Sequence, residues 1–142
     1  PYGAVSGPRN MINISRLMVY KLGAEAELPS VEVTEQRLPK PTLEPGTDEQ
    51  RAEGRELFNL YCSVCHGGNA ISAGLISDLR YRINDLGDSW QAIVRDGAMA
   101  SLGMPARGEF VSESEADAIK AYVIEQARLG HERGEKRLVP AR

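Results

Sequence analysis

The two cysteines of this 142-residue chain stand three positions apart with a histidine directly behind the second, in the run Cys62-Ser63-Val64-Cys65-His66. Thiols this close in sequence cannot close a long loop, so a structural disulfide would gain little, whereas cofactor and metal attachment use the spacing repeatedly. The spacing sets the thiols one helical turn apart with the imidazole next along the turn. They can then add to two vinyl groups on one edge of a porphyrin while His66 addresses the iron from one side, which is the pattern of covalent haem c attachment.

Three other readings compete. A zinc site needs about four ligands, and the chain holds only one further histidine, His131. A thioredoxin-like redox pair belongs beside a βαβ pattern, and this chain reads as helices and loops. Chance occurrence is the third.

An iron held by one histidine keeps an open face, so a second axial ligand downstream decides the chemistry. Met104 lies between Gly103 and Pro105 in a loop before the last helix, where a thioether can be presented rigidly. His66/Met104 ligation would suit an electron-transfer haem and raise its potential. Met99 is the rival ligand; packing is its alternative role, as it is for Met11 and Met18.

With 42% hydrophobic residues the chain can bury one modest core. Seventeen basic against twenty acidic residues give a formal charge of -3, which offers no case for a nucleic-acid partner. No apolar stretch approaches the roughly 20 residues that a transmembrane helix needs. The chain starts at Pro1, as expected for a mature exported protein or a piece of a longer one.

Residues 14–22 (Ile-Ser-Arg-Leu-Met-Val-Tyr-Lys-Leu) read as a strand ended by Gly23. A lone strand leaves its backbone groups unpaired. With no clear second strand elsewhere, it is expected to pair outside this chain. Pro29, Pro39, Pro41 and Pro45 make residues 29–47 a linker, or a strap packed on the following domain. A helix capped by Thr47 or Asp48 should run from about Asp48 into the cysteine turn. A glycine-rich loop follows over residues 67–74, then a short amphipathic helix at Ser89 to Arg95 stopped by Gly97, and a second loop through Gly103 and Pro105. Ser112 and Glu115 fit a capping box for a last helix with Ala116, Ile119, Tyr122, Val123 and Ala127 on its buried face, ending before Gly130. The expected divisions are an arm over 1–28, a linker over 29–47, an all-α domain over 48–130 and a flexible tail over 131–142.

These motifs resemble the class I cytochrome c family over roughly residues 48–129: a helix entering Cys62-x-x-Cys65-His66, the loop pair Met104-Pro105 and an amphipathic final helix. Gly54, Phe58 and Tyr122 are similar to the small-plus-aromatic crossing with which that family packs its first and last helices. The family usually has a proline before the Asp-Leu segment, its carbonyl orienting the proximal imidazole; here Ser77 precedes Asp78-Leu79.

The run Arg16-Leu17-Met18-Val19-Tyr20-Lys21-Leu22-Gly23 resembles the final strand of a pyrroloquinoline-quinone (PQQ) dehydrogenase propeller, and Ser77-Asp78-Leu79-Arg80-Tyr81, Trp90-Gln91-Ala92-Ile93-Val94, Asp96-Gly97-Ala98 and Gly103-Met104 are similar to the haem domains of quinohaemoprotein alcohol dehydrogenases. The resemblance implies a cytochrome c fold around one covalent haem on Cys62, Cys65, His66 and Met104, with PQQ and calcium confined to a separate propeller module or subunit. It also implies electrons passing from reduced PQQ to a soluble redox protein or quinone, in the periplasm, with no substrate turned over by this chain alone. Arg80 and Trp90 are candidate partners of the haem propionates; Tyr81 and Arg82 lie near enough in sequence to be weighed with them. Two alternatives stay open: a stand-alone cytochrome c serving another oxidoreductase, and a haem enzyme or sensor with a vacant sixth position.

Overall fold

A computed structural model of the chain describes residues 19–23, 25, 27, 30–72 and 76–141. Helix α1 spans Asp48–Tyr61 and helix α5 spans Glu113–Glu132; between them lie the short helices α2 (Ser63–His66), α3 (Ile83–Leu86) and α4 (Trp90–Val94). Tight 3-10 turns occupy Gly68–Ala70, Leu79–Tyr81, Gly87–Ser89 and Ala100–Leu102. Two strands, β1 (Val33–Arg37) and β2 (Lys136–Pro140), form an antiparallel pair with Glu35 opposite Leu138.

Both long helices start where their side chains satisfy the first free backbone donors. Thr47 Oγ1 accepts from Gln50 N at 3.2 Å, and Gln50 Oε1 accepts from Thr47 N at 3.0 Å. Ser112 Oγ and Glu115 repeat the exchange at 3.3 and 2.7 Å. Each box is worth about 1 kcal/mol.

The two helices cross where Gly54 faces α5. A Cβ at Gly54 would overlap the carbonyl of Ala118, so only glycine lets the axes come this close. Next to the crossing, the rings of Phe58 and Tyr122 meet at 5.4 Å between centroids and 53° between planes, a tilted contact worth about 1 kcal/mol beyond the area it buries. Ile119, Val123, Ala127, Val94, Val111, Ile83 and Trp90 complete the core, and each large apolar side chain among them gains roughly 2 kcal/mol from burial.

The strand expected to pair outside the chain is not what the described residues contain. Residues 14–18 lie outside them, and Val19, Tyr20 and Lys21 are exposed and belong to no strand. The chain instead supplies both partners of a sheet from the segments read as linker and tail. Neither has the alternation that marks a half-buried strand: β1, Val-Thr-Glu-Gln-Arg, is exposed along its whole length, and β2 sits among charged residues. Helix α5 also runs past Gly130, which is buried and leaves room for Leu38 and Arg80 to approach.

Residues 38–47 lie along the helical domain. Leu38 is fully buried, its N–H donates to Glu135 O at 2.9 Å, and His131 Nδ1 donates to its carbonyl at 2.9 Å. Thr42 N donates to Asn84 Oδ1 at 2.9 Å, and Leu43 packs on the core.

Candidate haem site

The cysteine turn is a continuation of α1 with a bend at Cys62. Cys62 N still donates to Phe58 O at 2.9 Å, and its own carbonyl accepts from Cys65 N at 3.1 Å and His66 N at 2.9 Å. Cys62 caps this second turn, α2, and Cys65 and His66 lie on it, so the three follow directly from the packed helix. Both thiols are free; Cys65 is exposed and Cys62 half-buried. Burial pushes the Cys62 thiol up to about 11, against the opposing charge of Arg107 and with a smaller contribution from Cys65.

The imidazole of His66 is buried, at 8% exposure. Its Nδ1 lies 3.3 Å from the carbonyl of Ser77. A carbonyl only accepts, so Nδ1 carries the proton and Nε2 keeps its lone pair. Burial lowers the pKa of His66, while the Ser77 carbonyl and the charge of Asp78 oppose the shift; the neutral form it favours is the one that binds a metal. Ser77 thus provides the orienting carbonyl even without the proline usual at this point in class I cytochromes c.

Met104 sits in a loop stapled to α4. Ala98 N donates to Ala92 O at 2.9 Å, Arg107 N to Val94 O at 2.8 Å, and Arg95 Nε to Val111 O at 3.2 Å. Inside the loop, Gly103 takes a left-handed conformation, φ 92°, and Met104 N donates to Met99 O at 3.2 Å. Both methionines are half-buried, at opposite ends of one tight turn.

The two expected propionate partners both have protein acceptors in this fold. Trp90 is buried, and its single N–H donates to Ala116 O at 2.8 Å within the core. Arg80, 4% exposed, donates through Nε and Nη2 to Asp78 at 3.0 and 2.7 Å and through Nη1 to Glu135 at 2.7 Å. Burial works against its charge, but the two carboxylates outweigh it and raise the pKa of Arg80. Tyr81 Oη donates to Gln36 O at 3.3 Å beneath the guanidinium of Arg137, 4.0 Å from the ring centroid. Arg82 is exposed and paired with Asp85. Nothing local in the sequence foretold Glu135 as the partner of Arg80, because 55 positions separate them.

Among the described residues no three His, Cys, Asp or Glu side chains converge as a protein-only zinc site would require. Haem c needs less of the protein: two thiols for its edge and one or two axial donors. Free thiols on one turn, an imidazole presenting Nε2 and a methionine loop pinned to α4 fit that group. Exposed Leu60, Val64, Leu102 and Phe110 lie along the same segments.

A family model described as Cytochrome C oxidase, cbb3-type, subunit III matches residues 49–123. Quinohemoprotein alcohol dehydrogenase ADH IIB of Pseudomonas putida is 38% identical over 117 residues, which is 80% of this chain and 17% of that protein. The dehydrogenase subunit of the alcohol dehydrogenase (quinone) of Gluconobacter oxydans (strain 621H) is 28% identical over 134 residues, 92% of this chain and 17% of that subunit. A cytochrome c6-like protein of Nostoc sp. (strain PCC 7120) is 32% identical over 92 residues, 61% of this chain and 79% of that protein. The chain therefore spans about a sixth of the length of the two dehydrogenases it matches.

Proposed function

Because this chain belongs to the c-type cytochrome family described as cytochrome c oxidase, cbb3-type, subunit III, whose work is electron transfer, we propose that it carries one covalent haem c and relays electrons out of a PQQ-dependent dehydrogenase module. Cys62 and Cys65 would hold the haem through thioether bonds, and His66 and Met104 would supply the protein donors to its iron. The electrons arrive from reduced PQQ and leave to a soluble redox protein or a quinone, in the periplasm. PQQ and calcium belong to the dehydrogenase module, and this chain turns over no substrate by itself.

The observation that carries the reading is the His66 ring, buried directly after Cys65 in the chain with Nδ1 tied to the Ser77 carbonyl at 3.3 Å. That bond fixes the tautomer and the plane of the ring, and it makes Nε2 a stronger donor. Haem c, when bound, supplies one-electron iron chemistry at a potential set by these ligands. Met104 would give the iron a second protein donor beside His66, and an iron so held would suit outer-sphere transfer.

The dehydrogenase context rests on the relatives of Pseudomonas putida and Gluconobacter oxydans. A stand-alone carrier is the second reading, favoured by the cytochrome c6-like relative, whose length this chain covers to 79%. Mixing the oxidised holo chain with a substrate-reduced PQQ dehydrogenase that lacks its own cytochrome separates them. Rapid appearance of the reduced haem spectrum supports the first reading, and reduction by small mediators alone supports the second. A pyridine haemochrome assay should return one haem per chain that resists acid-acetone extraction.

A further inference from the structure

We propose that Arg80 is a positioning residue for the iron ligand, holding through Asp78 the peptide whose carbonyl orients His66. This inference rests on the assignment of His66 as the axial ligand.

Ser77 has no ring to fix its φ, so the plane of its carbonyl is set by what grips the next residue. Arg80 grips it fully. Its backbone N and Nε both donate to Asp78 Oδ1, at 3.1 and 3.0 Å, and Nη2 donates to Asp78 Oδ2 at 2.7 Å. That fork pins the side chain of the residue directly after the carbonyl that holds His66.

The remaining arm of the guanidinium reaches outside the loop. Nη1 donates to Glu135 Oε2 at 2.7 Å, and Arg133 Nε holds the other oxygen, Oε1, at 3.0 Å. Glu135 stands between the end of α5 and β2, and its carbonyl accepts from Leu38 N at 2.9 Å. The Ser77 peptide is thereby braced against the last helix, the sheet and the segment entering α1. A buried charged cluster of this kind is weak evidence for stability, since apolar side chains of similar volume often do as well. What it adds here is direction, because a planar fork on a carboxylate admits little rotation.

The test uses the holo chain with Arg80→Gln, Arg80→Lys and Glu135→Gln, reading the solvent exchange of the His66 Nδ1–H by NMR in the reduced state and the midpoint potential. Arg80→Gln should speed exchange about tenfold. It should also raise the potential, because a slackened Nδ1–H···O bond makes Nε2 a weaker donor to ferric iron. A threefold change in the reduction equilibrium corresponds to about 30 mV, given ~59 mV per tenfold for one electron. Loss of a cation by itself would lower the potential, so the sign separates positioning from charge. Arg80→Lys should fall between the parent and Arg80→Gln. If Arg80→Gln does not fold, Glu135→Gln, which leaves the fork on Asp78 intact, decides the matter by exchange alone, expected about threefold faster. Unchanged exchange in Glu135→Gln, or a lowered potential in Arg80→Gln, overturns the inference. A parent without covalent haem, or without His66 on the iron, would strike the assignment beneath it instead.

Discussion

Gly54 on α1 lies against the backbone carbonyl of Ala118 on α5 with no room for a side chain between them. The cysteine turn hangs from this crossing, since α1 leads directly into it. Replacing Gly54 by Ala forces the helices apart and should cost about 3 kcal/mol of stability. Urea denaturation of the holo chain checks this; a loss below about 1 kcal/mol would mean that the crossing yields easily.

Ser112→Ala removes the hydroxyl that accepts from Glu115 N. The expected loss is about 1 kcal/mol with the urea m-value unchanged, as for a cap that affects stability without altering the buried surface.

Trp90→Phe keeps most of the buried ring and deletes the bond from Nε1 to Ala116 O. Stability should fall by about 1 to 2 kcal/mol while the midpoint potential stays within measurement error. A clear shift in potential would return Trp90 to the propionates and contradict its place in the core.

The Cys62 thiol, raised to about 11 by burial, gives the haem-free chain a pH signature. In a Cys65→Ser background, alkylation of Cys62 should climb about tenfold per pH unit well beyond pH 9, towards 11. The folded chain keeps this proton in a range where the unfolded chain, near its ordinary 9.0, gives it up. The unfolded state then binds fewer protons, so stability falls as pH rises from 9.0 to about 11. Alkylation that levels off below pH 9 would contradict the burial.

Much of this was legible in the residues because it is local. The Ser112–Glu115 box, the Thr47 cap, the apolar spacing of α5 and the Cys62-x-x-Cys65-His66 turn each lie within a few positions, where periodicity and capping chemistry act. What was not legible depends on partners far away in sequence. Strand β1 has no apolar face and is recognisable only beside β2; the bond between Arg137 and Gln36 spans 101 positions. The protein partner of Arg80 was not legible because Glu135 is remote, nor that of Trp90 because only the fold brings the carbonyl of Ala116 to its N–H. Gly130 resembled a helix stop, yet it is the place where Leu38 and Arg80 pack against α5.

The optical spectrum of the oxidised holo chain tests the central claim most directly, through the weak sulfur-to-iron band. The account predicts that the band is present, disappears in Met104→Ala and persists in Met99→Ala, with carbon monoxide binding readily only after Met104 is removed. A band that survives Met104→Ala, or a parent that lacks it and binds carbon monoxide, would contradict a His66/Met104 electron carrier.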